Sequence, residues 1–391
     1  MIVQLITLKY QDVFKKYSQK YKIYRDLYQI DLYGIEIRDI DDNQTNSIKK
    51  IILDNQEICY SCKKENKFDL LFISTLSKLI ELINQIKFNG IEDIGIKIQS
   101  VLYNYLNYEK DSIKIKSKTF NFNKHYILGI LNTTPDSFSD GGKFNNLDSA
   151  VSHSFDMINA GADIIDIGGE STRPGAEKIE TDEEIKRVIP VIQKIKKLKP
   201  DQIISIDTTK SIVAESAILN GADIINDISG FTNDENMFQI ARDYNVWSIL
   251  MHMKGNPADM QNNPYYDEVI SEIIDFFSRQ VDKALINGVT KLIIDPGIGF
   301  GKRIIDNYEI IKRLEEFKGL GFPILIGLSR KSFLGKSLNL DVDERENATS
   351  ISESIAMMNG AIFIRTHNVR KTKEASKLIG YLNNLSTLGN V

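Results

Sequence analysis

The stretch IISIDTTKSIVAESAILNGADIINDIS (203–229) contains one complete unit of the pattern that decides the fold. An apolar run (203–207) ends in an aspartate and a polar turn, a segment with helical periodicity follows (210–220), and a second apolar run (223–229) comes next. Near-continuous apolar runs are typical of strands buried on both faces, which pair in parallel through a crossover helix. The stretch therefore predicts a β-strand, an α-helix and a second, parallel β-strand.

The same pattern recurs from residue 127 onward. The apolar runs lie at 127–132, 163–169, 203–207, 223–229, 247–253, 291–297, 323–329 and 361–367. Helical segments are predicted at 147–160, 182–197, 210–220, 235–243, 268–287, 307–318, 346–359 and 371–384. Thr181 and Glu184 predict a capping box before the second helix. Eight such units predict an α/β fold, the closed (β/α)8 TIM barrel, for which about 250 residues is typical. An open, doubly wound sheet is the alternative, because periodicity does not reveal closure.

Composition and charge exclude several classes of protein. The chain has 391 residues, of which 42% are hydrophobic and 26% charged, a composition that supports a large core and excludes disordered and fibrous proteins. Its 49 basic and 53 acidic residues leave a formal charge of −4, so neither nucleic acid nor a membrane surface is an expected partner. No segment reaches ~18 uncharged apolar residues, so we expect a soluble, cytoplasmic protein.

A change in composition marks a domain boundary. Residues 1–126 contain no proline, no alanine and only three of the 24 glycines. Sharp turns are therefore concentrated in the later part, although a codon bias in a less constrained segment explains the same pattern. We place the boundary at 111, so that a small α/β extension of unknown role (1–111) precedes the barrel domain (112–391). The extension is expected to hold strands at 34–40 and 69–75 and helices at 75–88 and 91–107.

The two cysteines of the chain, Cys59 and Cys62, form a single C-x-x-C in this extension. One such pair without a second pair or a nearby histidine is weak evidence for zinc, and no thioredoxin-like context surrounds it. We predict two reduced thiols.

Polar residues stand at the ends of the predicted barrel strands, where the active sites of such barrels lie. They are Asn132, Gly168 to Arg173, Asp207, Asn226, His252, Asp295, Ser329 to Lys331, and Arg365 with His367. Their convergence predicts one site at the carboxyl-terminal mouth of the barrel.

The motifs around these strand ends resemble those of the dihydropteroate synthases. They are GILNTTPDSFSDGG (129–142), INAGADIIDIGGESTRPGA (158–176), SIDTTK (205–210), GADIINDISG (221–230), LMHMKGNPADMQ (250–261), IIDPGIGFGK (293–302), GLSRKSFLG (327–335) and IRTHNV (364–369). The resemblance covers roughly residues 112–391. It implies a (β/α)8 barrel, usually a homodimer and a sulfonamide target, that condenses 6-hydroxymethyl-7,8-dihydropterin diphosphate with 4-aminobenzoate. The products are 7,8-dihydropteroate and pyrophosphate, on the route to folate.

The resemblance assigns the pterin pocket to Asp207, Asn226, Asp295, Lys331 and Met251. Carboxylate and amide oxygens suit the paired N–H donors of a pterin edge. Taken alone, Asp207 also suits a helix N-cap, Asp295 a turn, and Met251 the barrel core. Their shared position at the strand ends favours a common site. For His252 we expect a structural role, with local hydrogen bonds.

The resemblance also assigns an anion end and a second substrate pocket. The implied mechanism is dissociative, so positive charge is needed where pyrophosphate leaves. Asn132, Arg365 and His367 are the expected pyrophosphate contacts. Asn132 matches the asparagine that ligates magnesium in the family, an ion that takes most of its other ligands from phosphate and water. The aminobenzoate pocket is assigned to two loops (134–142 and 169–177) and two further residues. Its members are Phe138, Thr172, Arg173, Pro174, Phe300 and Ser332.

Two other functions remain as hypotheses at this point. A pterin-dependent methyltransferase shares the barrel and the three pterin-contacting residues but needs neither an aminobenzoate pocket nor a pyrophosphate site. A non-catalytic pterin-binding protein would place the function in the extension, and the retained anion-end residues argue against it.

Overall fold

A computed structural model describes residues 1–23, 32–54, 58–81, 92–133, 143–171, 178–257 and 259–385. The chain forms two compact units. One contains Met1–Tyr108 together with Glu315–Gly321, and the other contains Glu109–Leu314 and Phe322–Val391. That residues 1–111 act as a separate domain stays a prediction.

The first unit is built on a four-stranded antiparallel sheet with the strand order β1-β2-β4-β3. Its strands are β1 (Ile2–Thr7), β2 (Tyr33–Ile40), β3 (Ile58–Lys64) and β4 (Lys67–Ser74), and its helices are α1 (Gln11–Tyr21), α2 (Asp42–Asp54) and α3 (Glu92–Asn107). Because side chains alternate along a strand, each sheet face carries its own apolar cluster. One cluster contains Ile35 and Ile37 with Ile98 of α3, and the other contains Ile73 with Phe14 of α1.

The two cysteines lie on opposite faces of β3. Cys59 packs against the cluster on the α3 side and Cys62 against the cluster on the α1 side, and both thiols are free. Their three-residue spacing along a strand points them apart, so they do not form one metal or redox site together.

The second unit contains a two-stranded hairpin and eight parallel strands. The hairpin strands are β5 (Ser112–Ile115) and β6 (Lys118–Asn121). The parallel strands are β7 (Tyr126–Asn132), β8 (Ile164–Gly168), β9 (Ile203–Asp207), β10 (Ile224–Asp227), β11 (Trp247–Met251), β12 (Leu292–Asp295), β13 (Leu325–Gly327) and β14 (Phe363–Thr366). Each of the eight predicted apolar runs coincides with one of them.

Helices alternate with these strands. They are α4 (Lys143–Ala160), α5 (Thr181–Leu198), α6 (Ser211–Leu219), α7 (Asn236–Asp243), α8 (Val269–Ile286), α9 (Ile304–Lys312), α10 (Ser332–Leu338), α11 (Glu346–Met358) and α12 (Val369–Asn383). No helix in the described part of the chain is both long and apolar enough to cross a bilayer.

The sheet closes on itself. Its strand order is β12-β11-β10-β9-β8-β7-β14-β13, and a parallel bridge between Ile294 and Ile324 joins the two end strands. The backbone N–H of Ile294 donates to the carbonyl of Pro323 at 3.0 Å across the same seam. The predicted (β/α)8 barrel is confirmed, and the alternative of an open, doubly wound sheet is wrong because a closed sheet has no open edges.

Two local predictions in the barrel are wrong. The helix expected over 307–318 ends at Lys312, and a 3-10 helix (Leu314–Leu320) follows it. The expected capping box at α5 does not form, because Glu180 precedes the helix without a side-chain cap. The carboxylate of Glu184 instead accepts a hydrogen bond from Lys210 Nζ at 2.7 Å. A tertiary partner has therefore replaced the local cap.

Candidate active site

The strand registers place the predicted site residues around one mouth. Asp207 at the end of β9 lies beside Asn226 of β10, and Met251 at the end of β11 lies beside Asp295 at the end of β12. Arg365 of β14 precedes the strand end by one residue. Because all eight strands are parallel, their carboxyl ends share one rim.

A buried carboxylate that the sequence analysis did not single out connects three of these strands. Asp166, inside β8, is completely buried and accepts a hydrogen bond from Asn226 Nδ2 at 3.1 Å. It also accepts one from Arg365 Nε at 2.6 Å, and the terminal guanidinium nitrogen of Arg365 binds Asp207 Oδ2 at 2.6 Å. Asp166 thus fixes Asn226 and Arg365 in one network with Asp207. A charged residue within an otherwise apolar buried strand was the signal that could have revealed it.

Burial shifts the pKa values of both partners in this network. Burial raises the pKa of Asp207 above its ordinary value, and the adjacent Arg365 opposes that rise. For Arg365, burial lowers the pKa, but Asp166 and Asp207 more than offset it, so the pKa stands above its ordinary value. The guanidinium remains charged and compensates the two carboxylates.

Asp295 is held by the turn that follows its own strand. Its Oδ1 accepts a hydrogen bond from the backbone N–H of Gly297 at 2.7 Å. Gly297 has a positive φ of 72°, and a Cβ there would stand 1.9 Å from the carbonyl oxygen of His252, so only glycine fits. Burial raises the pKa of Asp295 to about 6, although the Gly297 N–H and Lys331 favour its ionised form.

Lys331 and Phe300 form a cation–π contact at the mouth. The Nζ of Lys331 lies 4.2 Å from the centroid of the Phe300 ring, well within the range of such contacts. Burial lowers the pKa of Lys331 to about 8, against the attraction of Asp295. Lys331 stands directly before α10, whose first residue, Ser332, is exposed.

Apolar side chains line the adjacent wall. Met251 and Phe300 pack with Ile228 and Met260, and Met253 lies against the same cluster. A cavity of about 490 Å³ opens next to it, lined by residues that include Gly299, Lys302, Ser332 and Phe333. The apolar wall suits the face of an aromatic ligand, whereas the cavity beside it is lined mainly by polar and charged side chains, among them Gln261, Arg303 and Asn307.

His367 and Asn132 lie on the β14 and β7 side of the mouth. The Nδ1 atom of His367 is 2.9 Å from Ser329 Oγ, and the backbone N–H of His367 donates to the same hydroxyl at 3.2 Å. Asn132 is the last residue of β7 and is partly exposed. Among the residues that the structure describes, no group of three or more His, Cys, Asp or Glu side chains is arranged to hold a metal ion.

Four predicted pocket residues lie outside the described residues. They are Phe138, Thr172, Arg173 and Pro174. The flanks of the second loop are described, and Lys210 joins them. Its Nζ donates to Glu170 Oε2 at 2.9 Å and to the carbonyl of Ile179 at 2.8 Å.

Comparison with known proteins agrees with this geometry. A family model described as pterin binding enzyme matches residues 128–367. The dihydropteroate synthase of Clostridium beijerinckii is 48% identical over 270 residues, which are 68% of this chain and 97% of that protein.

Solved structures give the same result. The structure of the Yersinia pestis dihydropteroate synthase in complex with a sulfonamide drug aligns with a TM-score of 0.65 at 39% identity, covering 69% of this chain and 98% of that one. The Xanthomonas albilineans dihydropteroate synthase with 4-aminobenzoic acid aligns with a TM-score of 0.66 at 34% identity, covering 70% and 98%.

The barrel with this mouth belongs to the class of pterin-binding enzymes. Within that class the chain belongs to the dihydropteroate synthases, because the three dihydropteroate synthases compared above align with it over 97–98% of their own length.

Proposed function

We propose that the chain catalyses the condensation of 6-hydroxymethyl-7,8-dihydropterin diphosphate with 4-aminobenzoate, which yields 7,8-dihydropteroate and pyrophosphate for folate synthesis. It is then a transferase. The observation that carries the proposal is the single mouth that gathers Asp207, Asn226, Asp295, Lys331 and Arg365. Family membership and the ligands named for the related structures support it.

The pterin ring is held through its polar edge. Arg365 engages Oδ2 of Asp207, so Oδ1 is left to accept from the ring, while Asn226 is oriented by Asp166. Asp295 and Lys331 complete the polar contacts, and Met251 packs against a face of the ring. A pterin that becomes cationic as the C–O bond breaks is stabilised by the buried carboxylates of Asp207 and Asp295.

Pyrophosphate leaves before the amine attacks. A weakly basic aryl amine attacks slowly, so the reaction is dissociative, and the developing negative charge needs cationic and hydrogen-bonding partners. Arg365, His367 and Asn132 supply them. Arg365 is already paired with two carboxylates, so it acts on the anion as part of a network and not as an isolated charge.

Magnesium fits this end of the site. The donor set is a single neutral amide oxygen from Asn132, without an acidic cluster in the described part of the mouth. Such a set suits an ion that keeps several waters and takes its other ligands from substrate phosphates. When bound, magnesium screens the charge of the diphosphate.

The second substrate occupies the apolar side of the mouth. The benzoate ring lies against Phe300, and its carboxylate is met near Ser332 and Lys331. The resemblance to the family assigns Phe138, Thr172, Arg173 and Pro174 to the same pocket. A sulfonamide, which has the same aryl amine, competes for it.

The chain acts as a homodimer in the cytoplasm. Exposed apolar side chains on α11 and α12 support self-association: Ile351 is 62% exposed, Met358 66% and Leu378 60%. Analytical ultracentrifugation of the wild type and of Ile351→Lys tests this, and a monomeric wild type contradicts it.

The decisive experiment mixes the purified full chain with magnesium, the pterin diphosphate and 4-aminobenzoate, and follows dihydropteroate and pyrophosphate in equal amounts. A folded chain that binds pterin without product supports a non-catalytic protein instead. Methyl transfer from a methylated pterin to a corrinoid, without dihydropteroate, supports the methyltransferase.

A further inference from the structure

A buried lysine outside the roles assigned above lies directly behind the aminobenzoate side of the mouth. Lys302 is only 3% exposed. Its Nζ lies 3.0 Å from His252 Nδ1, 3.1 Å from the carbonyl oxygen of Phe300 and 3.3 Å from the carbonyl oxygen of His252. An ammonium group has three N–H donors, and here each has an acceptor.

These acceptors come from two turns that pack backbone against backbone. A Cβ on Gly297 would stand 1.9 Å from the His252 carbonyl, and a Cβ on Gly301 would stand 2.0 Å from the carbonyl of Lys254. Both glycines have positive φ values, 72° and 62°. The turn after β11 and the turn after β12 are thus in close contact. Lys302 is the buried charged link between them, beside Gln261 Nε2, which donates to the carbonyl of Gly299 at 2.6 Å, and the Tyr266 hydroxyl, which donates to the carbonyl of Gly301 at 2.9 Å.

The surroundings of Lys302 contain charges of both signs. Burial lowers the pKa of Lys302 to about 7, with Asp295 and Asp306 acting in the opposite direction and Lys331 and Lys254 in the same direction. His252 is buried, and its pKa lies well below its ordinary value, so the imidazole is neutral and Nδ1 accepts. The Nε2 atom of His252 therefore carries the proton.

We propose that Lys302 is a positioning residue for the aminobenzoate half of the site, because its ammonium fixes the turn that carries Phe300 and thereby holds the Phe300 ring against Lys331 Nζ. The proposal rests on the proposed function. It gives Lys302 no contact with either substrate.

The pterin half of the site depends less on this link. Asp295 is fixed by the N–H of Gly297 at 2.7 Å, and Met251 is held by its strand pairing with Asp295. The carbonyl of Phe300, in contrast, is bound by Lys302 Nζ at 3.1 Å. Loss of the ammonium should therefore loosen Phe300 more than the pterin contacts.

The test is Lys302→Met, which preserves the length of the side chain and removes the three donors. The KM for 4-aminobenzoate should rise about tenfold, a loss of about 1.4 kcal/mol, while the KM for the pterin diphosphate changes less than about threefold. A merely structural role would lower the active fraction and leave both KM values unchanged. The matched control is Lys254→Met, since Lys254 is a partly exposed lysine in the same pair of turns and should leave both KM values unchanged.

The outcomes are distinct. An inactive wild type contradicts the proposed function, whereas an active wild type with an unchanged aminobenzoate KM in Lys302→Met overturns the positioning role. If Lys302→Met does not fold, His252→Leu removes one acceptor and should raise the aminobenzoate KM by about threefold. His252→Asn restores an acceptor and should reverse most of that rise, and equal KM values in the two His252 variants overturn the role.

Discussion

Arg365 and Asp207 form a largely buried ion pair between strands that are three positions apart around the barrel, in which the Arg365 side chain is 21% exposed. Their side chains meet at 2.6 Å although the residues are 158 positions apart in the chain. Asp166, on β8, one of the two strands between them, accepts from Nε of the same guanidinium at 2.6 Å. One cation thus compensates two buried carboxylates at the point where we place the pterin ring.

Arg365→Met should therefore impair pterin binding as well as pyrophosphate departure. Without the guanidinium, Asp166 and Asp207 are two buried like charges, so the pKa of Asp207 rises further and its carboxylate is protonated at neutral pH. We expect kcat/KM for the pterin diphosphate to fall about 100-fold or more, since removing one partner of a buried charge pair costs about 2–5 kcal/mol. Steady-state kinetics and calorimetric titration with the pterin measure both effects.

The control for this prediction is Arg242→Met. Arg242 pairs with Asp243 on the surface, and both side chains are nearly half exposed. Its removal should leave kcat/KM unchanged. Unimpaired pterin binding in Arg365→Met would show that the network does not support the ring.

The pH dependence of kcat/KM for the pterin should be bell-shaped. Asp207 and Asp295, whose pKa values are raised by burial to about 7 and about 6, must be ionised to accept from the ring, so activity falls as the pH drops through these values. Lys331, whose pKa is lowered by burial to about 8, must be protonated, so activity falls as the pH rises through that value. The arginine in Lys331→Arg stays protonated over this pH range. The fall in kcat/KM on the alkaline side should therefore disappear in this variant, even where its kcat/KM is lower than that of the wild type. An unchanged alkaline limb in that variant contradicts the assignment.

The sequence predicts the barrel well because each buried strand can be recognised from its own short run of residues. Each run, such as 203–207, is apolar on both faces and ends in a polar residue, so the strand and its functional end are found together. Asp166 was not singled out because it lies inside a strand and its partner Arg365 is 199 residues away. Lys302 was not singled out for a similar reason, because two of its acceptors belong to His252, which lies in the turn after β11 and is distant in sequence. Pairing across a barrel depends on register and closure, and neither is visible in periodicity.

The extension was harder to predict. Its sheet contains buried polar residues that interrupt the apolar alternation, such as Glu36 and Asp69, both completely buried. Their compensation by Lys20 of α1 arises only in the folded unit. Both residues lie on strands that were predicted, β2 and β4, whereas β1 and β3 were not predicted; in β1 the buried Gln4 interrupts the apolar run.

Lys20→Met should destabilise the first unit. Lys20 Nζ lies 2.7 Å from Glu36 Oε1 and 3.2 Å from Asp69 Oδ2, and its removal leaves two buried carboxylates with less compensation. Because Lys20 is itself 28% exposed, we expect a loss of about 1–3 kcal/mol in the free energy of unfolding, less than for a fully buried pair. Hydrogen exchange of the β2 and β4 amides measures it. The control is Lys15→Met, since Lys15 is exposed on the same helix. Its replacement should change the free energy derived from hydrogen exchange by less than about 0.5 kcal/mol, and equal effects of the two variants refute the prediction.

Asp295→Asn should stabilise the protein while it abolishes pterin binding. The pKa of Asp295 in the folded chain, about 6, is above its ordinary value of 3.8, so the folded state favours the protonated carboxyl. Ionisation therefore costs stability as the pH rises from about 4 through about 6, and that cost is fully present at pH 7.5. Asparagine retains an oxygen for the Gly297 N–H without the charge, so the free energy of unfolding at pH 7.5 should rise by about 1–2 kcal/mol. Urea unfolding at pH 7.5 and at pH 5 measures it. The gain should shrink at pH 5, and a variant that is equally stable or less stable at both pH values would show that the Asp295 carboxylate is compensated in the folded chain.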